Sequence, residues 1–306
     1  MSKRKIIIDT DPGIDDAAAL ALALFAKELD VSLLTTVAGN VKIDYVTNNV
    51  LKLLKFWKLR LPVAKGASQP ILRQVRDASD VHGKNGLAGY ELPLADEENL
   101  LTEFAVEAIY HTLKESNETI TIVAIGPLTN IALLLTQYPE IKDKIAEVVI
   151  MGGALGRGNF EVLAEFNFAI DPEAAQIVFQ SGLPLVLVPL EAGSQAKLYQ
   201  TDVEELQKLN PTGEMLYAFF KKYRGGSFTT GLKMYDACAV AFLLKPELFT
   251  IEDAYGVIET QGKYTAGASV LDLKGLLGQK ANCRVCVATN ETEFRRWFIS
   301  RIKEVK

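Results

Sequence analysis

With 306 residues, 49% of them hydrophobic and 23% charged, and no long polar or low-complexity tract, the chain reads as a soluble globular protein, expected to form a single domain over residues 1–306. A formal charge of −5, a pI near 5.3 and no basic block longer than Lys3-Arg4-Lys5 argue against a nucleic-acid partner. The N-terminus lacks the apolar core and cleavage site of a secretory signal, the longest apolar run (Ala17 to Ala26) is too short to cross a bilayer, and three cysteines make a poor disulfide framework, so the expected compartment is the cytoplasm, with no membrane contact.

Short apolar runs of β type alternate with longer helical patterns from the start of the chain. Lys5 to Ile8 reads as a strand, Ile14 to Glu28 as a helix, Val31 to Val37 as a strand and Tyr45 to Lys58 as a helix. There follow a helix over Glu97 to Lys114, strands at Thr119 to Ile125 and Glu147 to Met151, a helix over Pro172 to Gln180 and a strand at Leu185 to Val188. The pattern predicts an α/β fold: a mainly parallel, open, Rossmann-like sheet with helices on both faces, and a ligand crevice at the C-terminal ends of the strands. Ala281 to Val287 reads as a strand, which sends Cys283 and Cys286 to opposite faces and argues against a redox or zinc role for that C-x-x-C pair.

The residues that follow the strands are polar. The first loop, Asp9-Thr-Asp11-Pro-Gly-Ile-Asp15-Asp16, sets four carboxylates within eight residues around a Pro-Gly turn. Either water screens these charges or a cation neutralises them, and an all-oxygen ligand set selects a hard ion such as Ca²⁺ or Mg²⁺. Asp15 and Asp16 also suit the positive end of the helix they open, but that use accounts for two of the four. Asp11 and Asp16 straddle the turn and are expected to face one ion, with Asp15 directed elsewhere.

Together with Val37-Ala-Gly-Asn40, Val81-His-Gly83, Ala124-Ile-Gly-Pro-Leu-Thr-Asn130, Met151-Gly-Gly153, Ala164-Glu-Phe-Asn-Phe168, Asp171-Pro-Glu-Ala-Ala175 and Tyr235-Asp236, this loop resembles the inosine-uridine-preferring nucleoside hydrolase family over nearly the whole chain. Within that family the likeness is strongest to the bacterial non-specific ribonucleoside hydrolases, which accept purine and pyrimidine nucleosides. The resemblance implies Ca²⁺ held by Asp11, Asp16, Asp236 and the carbonyl of Ile125, with Asp11 as the general base toward a calcium-bound water. It also implies ribose binding by Asp15, Asn40, Asn159, Glu165 and Asn167, and a homodimer or homotetramer. The residue types suit the reaction: a negatively lined pocket stabilises the oxocarbenium character that builds as an N-glycosidic bond breaks.

Two departures stand out. Many relatives place a histidine before the late metal-binding aspartate, where this chain has Tyr235, a weaker acid at neutral pH. Of only two histidines, His82 then becomes the imidazole expected near the base, while His111 is expected to be structural, beside Phe104, Ala108 and Ile109. The segment Leu190 to Ser194 carries Glu191 and Ser194 where relatives usually have other residues. The Gly-rich stretch Tyr223 to Gly231 suits a flap, with Phe228 and Tyr223 as candidates to stack on a nucleobase. A haloacid-dehalogenase-type phosphatase and a dinucleotide site fit poorly, since Gly13 stands where the first wants Thr or Val and the glycines of Gly153 to Gly158 run in the wrong order for the second. The rival of another class is a nucleoside-binding protein whose turnover is lost or very slow because of Tyr235.

Overall fold

The computed structural model describes residues 3–305. Twelve strands are present: β1 (Arg4–Thr10), β2 (Leu29–Thr36), β3 (Val63–Lys65), β4 (Ile120–Ala124), β5 (Ile145–Met151), β6 (Leu185–Val188), β7 (Lys197–Leu198), β8 (Gly226–Ser227), β9 (Gly231–Lys233), β10 (Phe249–Ile258), β11 (Ser269–Asp272) and β12 (Cys283–Thr289). Nine of them form one sheet in the order β11-β10-β12-β6-β5-β4-β1-β2-β3, and β7-β9-β8 form a small second sheet. The large sheet is parallel from β12 to β3, and only β10 and β11 join it antiparallel.

A central parallel strand is covered on both faces, so it needs apolar residues at every position. The Ile6-Ile7-Ile8 run meets that need: Ile6 and Ile8 enter one apolar layer and Ile7 the other, all without exposure. Cys283 and Cys286 fall into different layers, as alternation along a strand requires, and all three cysteines are free and buried. No helix among the described residues is long and apolar enough to cross a membrane.

Two expected helices are shorter than their patterns. The helix Ile14–Leu24 stops before Glu28, because Leu29 is already paired in β2. The pattern over Glu97 to Lys114 resolves into a 3-10 turn at Glu97–Asn99, held by the Asp96 side chain, and a helix Ala105–Glu115. Between them the chain runs along the sheet edge, where the Leu101 N–H donates to the Val63 carbonyl. His111 is not packed on an apolar stripe; it lies half exposed, with Nδ1 3.3 Å from Glu103.

The strand ends are tied together by buried amides. Asn130 donates to Asp9 Oδ1 (2.8 Å) and to the Thr36 carbonyl (2.9 Å), and accepts from the Ala67 N–H (2.9 Å), linking the ends of β1 and β2 to the loop after β3. Asn130→Ala removes all three bonds in a buried setting and is expected to destabilise the protein by about 2–4 kcal/mol. Urea unfolding measures this; a loss below about 0.5 kcal/mol would show the tie to be dispensable.

Candidate active site

A cavity of about 680 Å³ opens where the parallel strands end, its wall drawn from the loops after β1, β2, β4 and β5 and from the segment Tyr223 to Asp236. Of the acidic loop, Asp15 reaches the cavity wall, while Asp11 and Asp16 are fully buried. Asp16 accepts from Thr10 Oγ1 (2.7 Å) and from the Gly13 N–H (2.8 Å), and so closes the first turn of its own helix. Asp11 accepts from the Asn40 N–H (2.7 Å), while the Asn40 side-chain amide donates to the Asp11 carbonyl (3.2 Å) and to Asp16 Oδ2 (3.1 Å). One Asn thus holds both sides of the Pro-Gly turn in register.

Asp236 opens the helix Tyr235–Leu244, and carboxylate oxygens of Asp15, Asp16 and Asp236 lie within 4.8 Å of one another. Asp15 therefore joins the cluster rather than turning away from it: both helices point their positive N-terminal ends at one spot, and adjacent Asp15 and Asp16 share the first turn. Asp11 is joined to the group through Asn40, and its Oδ1 is buried with no hydrogen-bond partner among the described residues. No Lys or Arg pairs with any of these four aspartates among the described residues, and His82 Nδ1 lies 3.9 Å from Asp15 Oδ1.

This arrangement fits a hard divalent cation. The donors are all oxygens, the site is buried, and one carboxylate oxygen is left without a partner. Without that cation, burial and then the repulsion of neighbouring carboxylates raise Asp11 and Asp236 well above the usual carboxylate range and Asp16 above it, while burial raises Asp15 to about 6. Ile125 lines the cavity with Asp15 and Asp236, and its carbonyl accepts from Asn167 Nδ2 (3.1 Å), which donates equally to the Met151 carbonyl.

Asn159, Glu165 and Asn167 line the cavity near the end of β5. Glu165 caps the short helix Phe166–Ile170, accepting from the N–H groups of Asn167, Phe168 and Gly153, yet burial lifts its carboxyl to about 7. Asn159 Oδ1 accepts from the Phe166 N–H (3.0 Å). Tyr223 covers Asp15, donating to its Oδ2 (3.0 Å), and His82 lies against the Tyr223 ring with centroids 5.6 Å apart. The His82 Nδ1 accepts from the Ile14 N–H (3.1 Å), so the neutral ring carries its proton on Nε2; burial lowers its pKa to about 4.

Tyr235 also lines the cavity, its hydroxyl held protonated by burial and by the charges of Asp15, Glu165 and Glu191. Its ring rests against Gly193, where any Cβ would collide with it. Glu191 stays out of the cavity wall and instead accepts from the N–H groups of Leu155 (2.8 Å) and Gly156 (3.1 Å), while Ser194 Oγ donates to the Glu191 carbonyl (2.9 Å). The Leu190 to Ser194 segment thus seats Tyr235 and props the loop after β5. Phe228 is a correction to the sequence reading: the turn between β8 and β9 carries it off the cavity wall, and its ring stacks on Tyr217, centroids 6.4 Å apart. Asp80, Arg224 and Lys233 line the cavity without having been expected there, since scattered charged residues in polar loops carry no pattern.

The glycine of the acidic loop has a packing reason. A Cβ on Gly13 would run into the His82 ring and nothing else nearer, and Gly13 has an ordinary extended backbone. Gly13→Ala is expected to cost about 1–3 kcal/mol by overpacking, and under about 0.5 kcal/mol once His82→Ala has removed the ring. A denaturant-based double-mutant cycle reads the difference; equal costs in both backgrounds would rule the ring out as the reason.

The family model described as inosine-uridine preferring nucleoside hydrolase matches residues 6–296. The non-specific ribonucleoside hydrolase RihC of Klebsiella pneumoniae is 53% identical over 95% of this chain and 96% of its own, and that of Salmonella newport is 51% identical over 95% of each. Among solved structures, the purine-preferring ribonucleoside hydrolase from Gardnerella vaginalis superposes with a TM-score of 0.91 at 30% identity, over 99% of both chains. With this sheet, this cavity and these matches, the chain belongs to the inosine-uridine preferring nucleoside hydrolase family and is an N-glycosidase.

Proposed function

We propose that the protein hydrolyses the N-glycosidic bond of purine and pyrimidine ribonucleosides, giving ribose and the free base, with Ca²⁺ held by Asp11, Asp16, Asp236 and the Ile125 carbonyl. The observation that carries this reading is the buried carboxylate cluster, unpaired with any Lys or Arg among the described residues, two of whose members, Asp15 and Asp236, line a cavity large enough for a nucleoside. Breadth toward both base classes is supported by the Klebsiella and Salmonella relatives, which are named non-specific ribonucleoside hydrolases. A calcium ion suits a cluster that mixes carboxylates with a backbone carbonyl better than magnesium, which keeps most of its own waters. Bound there, the ion lowers the pKa of water in the site, so that a carboxylate serves as base near neutral pH.

The chain's own groups divide the remaining work. Asp11 takes the proton of the attacking water. Asp15, Asn40, Asn159, Glu165 and Asn167 hold the ribose hydroxyls, and a sugar lacking one leaves buried polar groups unpaired, which disfavours 2′-deoxyribose. The negative wall stabilises positive charge growing on the sugar ring. His82 and Tyr235, which also line the cavity, are assigned to the nucleobase in this reading. A cytoplasmic homodimer or homotetramer belongs to the same reading. A second reading, nucleoside binding with lost or very slow turnover, draws on Tyr235, whose hydroxyl is shifted away from proton donation.

Ribose release from inosine, uridine and cytidine at neutral pH with added Ca²⁺ is expected, and Asp11→Ala is expected to lower it by at least about 100-fold. Tight nucleoside binding with no release from any of the three would favour the second reading.

Stability should carry the mark of the carboxylate cluster as well. Asp15 and Asp9 at about 6 and Glu165 at about 7 have folded pKa values above their unfolded ones, so the stability they confer is full at low pH and is lost as pH rises through those values. The EDTA-treated protein is expected to melt at a higher temperature at pH 5.5 than at pH 7.5, and Ca²⁺ to raise Tm more at pH 7.5, where its ligands are ionised. A calcium effect independent of pH across this window would contradict the assignment.

A further inference from the structure

The departing nucleobase takes with it the electron pair of the C1′–N bond, and the cavity offers few groups able to meet that charge. Tyr235 lines the cavity with its ring seated on Gly193, and a phenol hydroxyl is a weak acid at neutral pH. His82 is neutral near pH 7, with Nδ1 already accepting from the Ile14 N–H, so it can offer one uncharged hydrogen bond through Nε2. Apart from the carboxylates assigned to the metal and the ribose, the remaining titratable lining consists of Tyr223, whose hydroxyl donates to Asp15, of Asp80, an acid, and of two cations, Arg224 and Lys233.

These two are the Lys and Arg residues among the cavity's lining. Neither forms an ion pair or a side-chain hydrogen bond among the described residues, although carboxylates line the same cavity. Lys233 is partly buried at the end of β9, two residues before Tyr235, and its N–H donates to the Gly225 carbonyl (3.1 Å), which fixes it to the strand segment bearing Arg224 and Gly226. The small sheet β7-β9-β8 thus sets a free ammonium group at the cavity wall in the stretch of chain that also carries Tyr235.

We propose that Lys233, with Arg224 as an auxiliary cation, stabilises the leaving nucleobase, a role resting on the hydrolase reading above. As the C1′–N bond breaks, its electron pair passes to the base. The oxygen of the attacking water bonds to C1′ and its proton goes to Asp11. The Lys233 ammonium donates a hydrogen bond to the anionic base and then a proton, so that the base leaves neutral. Solvent afterwards removes the proton from Asp11 and returns one to Lys233, which closes the balance. A positive charge at the wall of the cavity that receives the base is the kind of group that lowers such a barrier.

The test compares leaving groups. Wild type, Lys233→Met and Lys233→Arg are assayed with added Ca²⁺ on uridine, inosine and p-nitrophenyl riboside, whose p-nitrophenolate departs without a proton. Lys233→Met is expected to lower kcat on uridine and inosine by about 100-fold and on p-nitrophenyl riboside by no more than about threefold, with Lys233→Arg recovering about tenfold of the loss on the nucleosides. Equal loss on all three substrates, no loss on any, or an arginine variant as impaired as the methionine one would overturn the assignment. A wild-type protein that releases ribose from none of the three would instead remove the hydrolase reading on which it rests.

Discussion

The structure depends on holding like charges together out of water. Asp11, Asp15, Asp16 and Asp236 are each at most 5% exposed, and a carboxylate so placed is costly unless it is protonated, hydrogen-bonded or neutralised by a cation. Much of the surrounding architecture answers that cost. Two helix N-termini point at the cluster, Thr10, Gly13 and Asn40 donate to it, and Tyr223 covers it from the far side. These donors orient the carboxylates without neutralising them, which is the condition a cation site requires.

Close approach explains why small residues recur at the motifs. The Asp11 carboxylate lies between Gly39 and Gly126, either of which would strike it with a Cβ, and Gly152 admits the Phe168 ring beneath the loop after β5. Gly193 does the same for Tyr235. Tyr235 and the unusual Leu190 to Ser194 segment are therefore one local solution, a bulky ring seated on a residue with no side chain while Glu191 holds the neighbouring loop.

The parallel sheet was legible because two-sided burial leaves a plain mark, an unbroken apolar run such as Ile6 to Ile8, bounded by acidic or glycine-rich turns. The acidic loop was legible for the opposite reason, because so many charges in eight residues are hard to account for on a surface. What failed to show was tertiary. The helical pattern over Glu97 to Lys114 was overridden by the edge of β3, which claims Leu101 as a hydrogen-bond donor. Asp15 joined its neighbours because a second helix, more than 200 residues away in the chain, brought Asp236 to the same point. Phe228 was drawn off by Tyr217, and Lys233 became a cavity residue through a three-stranded sheet made of strands too short to leave a pattern. The resemblance to a family supplied roles for residues whose positions physical reasoning alone left open.

The bond from Tyr223 to Asp15 spans 208 positions of the chain, and that from Asn130 to Asp9 spans 121. Contacts of such range form only after the intervening strands have been laid side by side, because the loop they close is costly in entropy until the sheet repays it. The acidic segment leaves the ribosome long before Tyr223 and Asp236, the residues that complete its site. During synthesis its exposed carboxylates stay hydrated, so the repulsion that the finished site must bear arises only when the rest of the fold is present to bear it.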